Sequence, residues 1–483
     1  MSARGRSRCI VSDCIRSAAH HWILQFNRGY MEPGKHFFFS GIGGSGMSPL
    51  AQLLQQSGNR VSGSDRSFDR RLNKSFFNKL RRQGIVLLPQ NGSSIPRGTD
   101  CLVVSTAIEH DSPELQRARS LHIPVMHRSA LLARLFNASR GIGIAGTSGK
   151  STVTGMVASI LDAAGKSPSV INGGIIKQYE TGSCIGNARA GTSDVMVAEI
   201  DESDGSITRF EPKAGIITNI TRDHKELDEL RPLFQTFASS CTEMLVINQD
   251  CPESRSIRSR ARVTAFGLHG DCPVTADQID IRPQEIRFRV QGNPFVMYVP
   301  GLHNLQNALA SIAIGLSLGL PMTAIQKGLA SFRGIKRRLD IIGERNGILV
   351  VDDFAHNPDK ISASVAALRQ MGKRLTVVFQ PHGYGPTRFM LAELARAFST
   401  SLRASDRFLC LDIYDAGGTA DRTITAHDLL GLVRIPHRLH VPGRKEAAAF
   451  IAETARKGDV VAVMGARDDS LSSFARSILK TIS

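Results

Sequence analysis

One glycine-rich segment, residues 141–154, constrains the fold of this chain more than any other feature. Its sequence reads Gly-Ile-Gly-Ile-Ala-Gly-Thr-Ser-Gly-Lys-Ser-Thr-Val-Thr. Residues 142–145 predict a short buried strand, and residues 150–163 predict a helix. A glycine-rich turn between the two lets backbone N–H groups surround phosphate oxygens, and the helix N-terminus attracts the same anion. The segment therefore predicts a phosphate-binding loop in an α/β fold, with an ordinary strand-to-helix turn as the alternative.

The side chains of this loop suit a nucleoside triphosphate. Lys150 can reach the terminal phosphates, and the Ser151 hydroxyl is placed to hold Mg²⁺. The strict spacing of such loops has glycine at position 144, where this chain has Ile144. We predict that ATP is bound by the loop residues Gly146, Thr147, Ser148, Gly149, Lys150, Ser151 and Thr152.

Composition limits the class of protein. With 483 residues the chain is too long for one hydrophobic core and suggests about three domains. A hydrophobic content of 42% is typical of a soluble globular protein, and no apolar run approaches the roughly 20 residues of a membrane span. The 8 cysteines include no C-x-x-C pair, which argues against a zinc site or a disulfide framework and favours a reducing cytoplasm.

The net charge of +17 favours anionic partners. Lys and Arg are spread along the chain without a dense run, and 6% aromatic residues with one Trp provide few surfaces for base stacking. We therefore predict small anionic substrates such as nucleotides rather than nucleic acid.

Residues 1–35 are expected to be an extension outside the folded domains. The segment is rich in Arg and Ser, as organellar transit peptides are. Met31 opens the run that leads into the first strand, so a mis-assigned start or a disordered tail is the favoured interpretation, with a targeting segment as the alternative.

A second glycine-rich turn lies in residues 36–140. An apolar strand at 36–40 leads into Gly-Ile-Gly-Gly-Ser-Gly and a helix from about 48 to 57, and a strand at 61–65 ends in an acid. This is the dinucleotide-binding fingerprint in its structural context. A redox cofactor is one possible ligand, but two phosphate sites favour a nucleotide-linked substrate beside ATP. The candidate residues for that substrate are Gly43, Gly44, Ser45, Gly46, Asp65 and Ser105, with helix capping as the alternative role for Ser105.

Polar residues follow buried strands in residues 141–334. The strand at 195–199 ends in Glu-Ile-Asp-Glu-Ser-Asp, which predicts an Mg²⁺ site at the carboxyl edge of a sheet, with a solvated loop as the alternative. The strand at 214–220 leads to His224, a residue type that is usually structural when alone. Further on, the amides of Asn304 and Asn307 suit an adenine edge, or Asn304 only caps the helix that runs to about residue 318.

Residues 335–483 predict a second Rossmann-like domain. Apolar strands at 349–352, 375–379, 408–412 and 460–464 alternate with helices. The sequence Gly-Ala-Arg-Asp-Asp at 465–469 follows the last strand and is either an anion site or a plain turn.

Taken in order, these motifs resemble those of the Mur ligases, ATP-dependent enzymes of peptidoglycan synthesis, over more than nine-tenths of the chain. The resemblance rests on Gly41–Met47, Gly146–Ser151, Asn187–Arg189, Glu199–Asp204, Thr218–Ile220 with Asp223-His224, Gly301–Asn307, Lys336–Arg338, Asp352–Pro358, Phe379–His382 and Asp412–Tyr414. It implies transfer of the ATP γ-phosphoryl group to a substrate carboxylate, followed by attack of an amine on the acyl phosphate.

Roles for single residues are implied by the same resemblance. Lys150 would bridge phosphates, and Ser151 with Glu199 would hold one Mg²⁺. His224 would serve a second Mg²⁺, and His356 would lie near the reacting carboxylate. The residues that would complete the ATP site or contact the UDP-linked substrate are Asn304 and Asn307 at adenine, Arg338 at phosphate, Asp353 at ribose and Arg189 on the UDP side.

Two features bear on the acceptor. No lysine lies between Lys225 and Lys327, so the carbamylated lysine typical of the later-acting ligases is missing, as in the alanine-adding branch. That branch usually has Arg where this chain has Gly383 and Pro386, and often has glutamate near Gly418. Loss of two guanidinium groups removes bidentate carboxylate binding, which Arg388 cannot replace alone.

We therefore expect a three-domain α/β ligase with a UDP-substrate domain at 36–140, an ATP domain at 141–334 and an acceptor domain at 335–483. It would join an amino acid, L-alanine in the first instance, to the carboxylate of a UDP-muramyl substrate with ATP and Mg²⁺, as a cytoplasmic monomer or weak homodimer. Two alternatives remain: a paralogue acting on another acid or amine, including a recycled peptide, and a nucleotide-binding regulator without catalysis.

Overall fold

The computed structural model describes residues 34–222, 225–269, 271–415 and 421–482. Within these ranges the chain forms four sheets, of five, eight, three and six strands. The expectations for the start of the chain, Met31 included, lie outside the described residues, as do those for Asp223, His224 and Gly418.

The chain divides into two compact units, the first ending at Leu131 and the second beginning at Leu132. In the first unit, five parallel strands have the order β3-β2-β1-β4-β5. Its strands are β1 (His36–Ser40), β2 (Arg60–Ser64), β3 (Val86–Leu88), β4 (Cys101–Val104) and β5 (Val125–His127). Its helices are α1 (Ser48–Gln56), α2 (Arg66–Asp69), α3 (Lys74–Arg82) and α4 (Pro113–Ser120), with α5 (Arg128–Asn137) crossing the division.

The central strand of this sheet is apolar on both faces. Phe37, Phe38 and Phe39 are all buried, because helices cover both sides of a parallel sheet. The strand order reverses between β2-β1 and β4, and in open α/β sheets such a reversal opens a crevice at the carboxyl ends of the strands. The glycine-rich turn after β1 lies at that edge.

The second unit contains the eight-stranded sheet, whose order is β13-β12-β11-β10-β6-β9-β7-β8. All its pairs are parallel except β7 with β8. Its strands are β6 (Arg140–Ala145), β7 (Ser169–Ile171), β8 (Ala188–Arg189), β9 (Val195–Glu199), β10 (Ala214–Ile217), β11 (Met244–Asn248), β12 (Arg262–Gly267) and β13 (Val274–Thr275). The antiparallel three-stranded sheet follows as β14 (Asp277–Ile281), β15 (Ile286–Val290) and β16 (Asn293–Met297).

One buried helix organises this part of the second unit. Residues 151–161 of α6 (Lys150–Ala163) are all buried, because the helix packs between the sheet and two further helices. The other helices of this part are α7 (Leu227–Ser240), α8 (Pro252–Ser256), α9 (Leu302–Ser317) and α10 (Met322–Ser331), with 3₁₀ turns at Lys177–Tyr179 and Ser206–Arg209. Gly328 of α10 lies so close to α6 that a Cβ atom there would stand 2.4 Å from Cα of Ile160.

The six-stranded sheet completes the second unit in the order β17-β18-β22-β19-β20-β21, parallel except for β17 with β18. Its strands are β17 (Asp340–Arg345), β18 (Ile348–Asp353), β19 (Leu375–Gln380), β20 (Arg407–Cys410), β21 (His437–His440) and β22 (Val460–Gly465). Its helices are α11 (Pro358–Arg369), α12 (Tyr384–Phe389), α13 (Leu391–Ser401), α14 (Ala426–Leu432), α15 (Arg444–Thr454) and α16 (Leu471–Thr481). Separate apolar cores lie on the two faces of this sheet.

The segment between α10 and β17 is tied back to the eight-stranded sheet region. Ile335 forms a bridge with Ile176, and Lys177 pairs with Asp340 at 2.7 Å. Lys336 pairs with Glu180 at 2.5 Å. These contacts fix where the connection leaves one sheet region and enters the next.

The predicted α/β class is confirmed. The predicted strand at 142–145 and helix at 150–163 are present as β6 and α6, and the predicted fingerprint helix at 48–57 is α1. Among the described residues, every helix is too short or too polar to span a bilayer.

Candidate functional site

The loop after β6 is shaped by contacts with the neighbouring strand β10. Gly146 has φ +136°, and a Cβ atom there would lie 1.9 Å from Oγ1 of Thr218. The Thr218 hydroxyl donates to the Ser148 carbonyl at 2.6 Å. Only glycine fits at position 146, because both its backbone conformation and its surroundings exclude a side chain.

Thr147 and Asn219 form the second contact between the two strand ends. The Thr147 hydroxyl donates to Oδ1 of Asn219 at 2.7 Å, and the Ser148 N–H donates to the same oxygen at 3.0 Å. The Asn219 amide returns a hydrogen bond to the Ser148 carbonyl at 3.1 Å. The loop is therefore held in a fixed shape by side chains about 70 positions further along the chain.

Lys150 folds back over this loop. Its Nζ atom donates to the Gly146 carbonyl at 2.6 Å and to Oε2 of Glu202 at 2.7 Å. The lysine and glutamate side chains are only 13% and 6% exposed, so the ion pair is largely shielded from water. The phosphate-site lysine thus has a carboxylate partner within the acidic segment that follows β9.

Burial and charge act in opposite directions on this pair. Burial lowers the pKa of Lys150, but the carboxylates of Glu202 and Glu199 outweigh it and leave the pKa raised. Burial raises the pKa of Glu202, and Lys150 offsets this only in part. Lys150 is therefore positively charged at neutral pH, as phosphate binding requires.

Ser151 and Glu199, which the family resemblance implies as ligands of one Mg²⁺, lie together, and their metal role stays a prediction. The Ser151 hydroxyl donates to Oε2 of Glu199 at 2.8 Å, and the Gly173 N–H donates to the same oxygen at 2.7 Å. A hydroxyl and a carboxylate are the oxygen ligands that Mg²⁺ accepts, with water filling its other positions. In the described part of the chain, no three His, Cys, Asp or Glu side chains converge as a metal site. His224, the third predicted ligand, lies outside the described residues.

Asn304 and Asn307 stand beside the phosphate loop on α9. The Asn307 amide donates to Oδ1 of Asn304 at 3.1 Å, and the Asn304 amide donates to the Pro300 carbonyl at 2.6 Å. A Cβ atom on Gly149 would lie 2.4 Å from Oδ1 of Asn307, so this amide lies directly over the loop. Their role at adenine stays a prediction.

Asp353 and Arg338 lie together at the start of the six-stranded sheet region. The Asp353 carboxylate is 4% exposed and accepts from the Ser364 hydroxyl at 2.5 Å. Burial raises its pKa, while Ser364 and Arg338 lower it in part. The Arg338 guanidinium stacks on Phe354 at 4.7 Å.

His356 and His382 form a buried ring pair at the carboxyl edge of the same sheet. Their ring centroids are 4.7 Å apart, and Nδ1 of His356 donates to the Phe354 carbonyl at 2.8 Å. Burial, with Lys360 and His382 nearby, holds the pKa of His356 well below its usual value. The ring is therefore neutral at neutral pH, with Nε2 unprotonated.

Arg189, the predicted UDP-side residue of the second unit, is bound within the fold. Its guanidinium forms two hydrogen bonds to Asp162, at 2.8 and 2.6 Å, and lies 4.4 Å from the centroid of the Tyr179 ring. This pair lies at the C-terminal end of α6. A substrate role for Arg189 stays a prediction.

In the first unit, the glycine turn after β1 meets the acid that follows β2. The Gly43 N–H donates to Oδ2 of Asp65 at 2.9 Å, and the other Asp65 oxygen caps α2 at Ser67. Gly44, Ser45 and Gly46 form the rest of this turn, and Ser105 directly follows the neighbouring strand β4. The structure thus places the candidates at 43–46, 65 and 105 at one edge of one sheet.

Several polar residues at these edges were not predicted from the sequence. Arg128 lies over Gly46, where a Cβ atom would stand 2.7 Å from its Nη1. The buried carboxylate of Glu114 accepts hydrogen bonds from Ser40 and Ser64, which end β1 and β2. Neither belongs to a local motif, because each comes from a helix distant in sequence.

Three family models match this chain, one after another along the sequence. Residues 36–140 match the model described as Mur ligase family, catalytic domain, residues 144–315 match the Mur ligase middle domain, and residues 337–467 match the Mur ligase, glutamate ligase domain. The chain belongs to the Mur ligase family, enzymes that form C–N bonds at the expense of ATP.

Curated relatives extend over nearly the whole chain. UDP-N-acetylmuramate–L-alanine ligase of Cyanothece sp. is 37% identical over 463 residues, which are 90% of this chain and 92% of that protein. The ligase of the same name from Thermosynechococcus vestitus is 37% identical over 92% of this chain and 94% of its own. The solved structure of UDP-N-acetylmuramate-alanine ligase from Thermotoga maritima superposes with a TM-score of 0.76 at 27% identity, covering 92% of this chain and 98% of that one.

Proposed function

We propose that this protein joins L-alanine to the carboxylate of UDP-N-acetylmuramate in peptidoglycan synthesis. The observation that carries the proposal is the 37% identity, over nine-tenths of the chain, to ligases named for that reaction. The fixed loop around Gly146, with Lys150 charged beside it, supports the ATP half-reaction.

Mg²⁺ and the assignment of the three domains belong to the same proposal. Ser151 and Glu199 would hold one Mg²⁺, which would neutralise phosphate charge, and His224 would serve a second. The domains at 36–140, 141–334 and 335–483 would bind the UDP-linked acid, ATP and the amino acid respectively, in the cytoplasm.

The chemistry proceeds in two steps. The substrate carboxylate takes the γ-phosphoryl group of ATP, which gives an acyl phosphate and ADP. The amine then attacks the acyl carbon, and the C–O bond to phosphate breaks as the amide forms. Carboxylate and triphosphate repel each other, so Lys150 and Arg338 serve by neutralising charge where the two anions meet.

A different amine is the second candidate function. Gly383 and Pro386 stand where the alanine-adding branch usually has arginine, so the pocket for the amino acid differs from the usual one. A change confined to that pocket leaves the ATP site as it is and alters only the choice of acceptor.

The test is phosphate release with ATP, Mg²⁺ and UDP-N-acetylmuramate across a panel of amino acids and short peptides. We expect release with L-alanine, together with the UDP-linked amide, and its loss in Lys150→Ala. Phosphate release with a different amine only would identify that amine, instead of L-alanine, as the acceptor substrate. ATP binding without phosphate release under any of these conditions would contradict the ligase proposal and favour a nucleotide-binding regulator.

A further inference from the structure

Arg467 is an exposed arginine in an unusual backbone conformation. It lies two residues after β22 and has φ +60°, a region that favours glycine. Holding a side chain there strains the backbone, which a plain turn would avoid by using glycine. The conformation alone assigns no role to the side chain, so its surroundings have to be considered.

The guanidinium of Arg467 lies over Gly383. Strands β19 and β22 are parallel neighbours, with Gln380 opposite Gly465, so the loops that follow them leave the same edge of the sheet. A Cβ atom on Gly383 would stand 3.4 Å from Nη1 of Arg467. The guanidinium therefore lies beside Gly383, in van der Waals contact with the place where a Cβ atom would stand.

The neighbouring arginines at this edge are paired with acids. Arg388 binds Asp421 at 2.7 Å, and Arg422 binds Asp415 at 2.9 Å. A third acid, Asp468, is held by Arg444 at 2.5 Å.

Arg467 differs from these arginines. Over the ranges that the structure describes, its side chain makes no hydrogen bond and no ion pair, so its charge is available to a ligand.

The position of this charge links it to the reaction. Gly383 directly follows His382, whose ring packs against His356 at 4.7 Å. A free guanidinium at this edge suits a carboxylate, which it binds through two parallel hydrogen bonds.

We propose that the Arg467 guanidinium binds the α-carboxylate of the amino acid substrate, in place of a side chain at position 383. The inference rests on the proposed function. The α-carboxylate keeps its charge throughout the reaction, whereas the sugar-acid carboxylate becomes an amide, so a permanent cation fits the former. Arg467 then contributes equally to the ground state and the transition state, and its loss raises KM without lowering kcat.

The experiment compares Arg467→Gly, Arg467→Ala and Arg467→Lys with the wild-type enzyme in steady-state phosphate release. Arg476→Ala, at an exposed position on α16, is the control for loss of one surface charge. Glycine accepts φ +60° without strain, so Arg467→Gly is expected to melt at or above the wild-type temperature. We expect KM for L-alanine to rise about 10- to 100-fold in the glycine and alanine variants, and less in the lysine variant.

L-Alaninamide separates carboxylate binding from every other effect. The wild-type enzyme should favour L-alanine over the amide, and Arg467→Gly should lose most of that preference while KM for ATP and for UDP-N-acetylmuramate stays constant. An unchanged preference would overturn the inference, as would a rise in KM for either nucleotide substrate instead. If the wild-type enzyme ligates no amino acid, the proposed function fails first, and the inference falls with it.

Discussion

Nζ of Lys150 lies 2.7 Å from Oε2 of Glu202, in an ion pair that is almost closed to water. The same ammonium group also donates to the Gly146 carbonyl. The phosphates of ATP must therefore compete with Glu202 for this lysine. Glu202 keeps the ammonium charged and positioned until a nucleotide arrives.

Replacing Glu202 by glutamine should destabilise the nucleotide-free enzyme by about 3 kcal/mol, because it removes the nearest counter-charge of a buried ammonium. ATP supplies that charge, so ATP should raise the melting temperature more in Glu202→Gln than in the wild type. Differential scanning fluorimetry with and without ATP measures both effects. Glu243→Gln, which removes an exposed partner of Arg140, is the control and should change neither value. Equal ATP-induced shifts in Glu202→Gln and wild type would refute the competition.

Removing the Ser151 hydroxyl should weaken the response to Mg²⁺. Ser151 and Glu199 offer two adjacent oxygens, so Ser151→Ala should raise the half-saturating Mg²⁺ concentration for phosphate release about tenfold or more. Ser151→Thr keeps the hydroxyl and should remain close to the wild type. If Ser151→Ala and the wild type have the same half-saturating Mg²⁺ concentration, the Ser151 hydroxyl is not a ligand of the metal.

His303 should make the stability of the enzyme depend on pH. Burial, with Arg338 nearby, lowers its pKa to about 4 in the folded chain. The unfolded chain binds this proton at about pH 6.5, so the folded state loses stability as the pH falls from 6.5 towards 4.

Between pH 7 and pH 5, the wild type should lose about 2 kcal/mol more free energy of unfolding than His303→Gln. Urea unfolding at the two pH values measures this difference. His437→Gln, at an exposed position on β21, is the matched control. If the wild type and His303→Gln lose the same free energy of unfolding between pH 7 and pH 5, other groups are responsible for the acid sensitivity.

Two helical glycines should respond in opposite directions to alanine. At Gly328 the added methyl group meets the backbone of Ile160, so Gly328→Ala should lower stability by about 1–3 kcal/mol. Gly431 on α14 has no atom within 4 Å of an added Cβ, so Gly431→Ala should raise stability by roughly 0.5–1 kcal/mol. Chemical denaturation of both variants provides the comparison, and the same sign for both would contradict the close packing of α10 on α6.

Local pattern was enough to predict the strand-loop-helix unit around Lys150. Apolar residues, glycines and the helix stand next to each other in sequence, so period and turn chemistry reveal them. The sequence could also predict that Glu199 lies near Ser151, because parallel strands bring their carboxyl ends to one edge of the sheet.

What sequence could not reveal are contacts between distant segments. Thr218 and Asn219 clamp a loop some 70 residues earlier, and Arg128 lies over Gly46 from a helix with no motif of its own. The sequence at 465–469 left an anion site and a plain turn equally open. The pairing of β22 with β19 brings the two loops to one sheet edge, and only the folded structure shows Arg467 beside Gly383.

The contacts of Thr218 and Asn219 with the loop after β6 have a kinetic consequence. A loop that these contacts already hold in one shape gives up little conformational freedom when a nucleotide enters. ATP should then bind without a slow ordering step of the loop. Substitutions in the loop should change mainly the dissociation rate of the nucleotide and leave its association rate nearly constant. In this enzyme the residence time of ATP, rather than its rate of arrival, is where evolution could adjust the first half of the reaction.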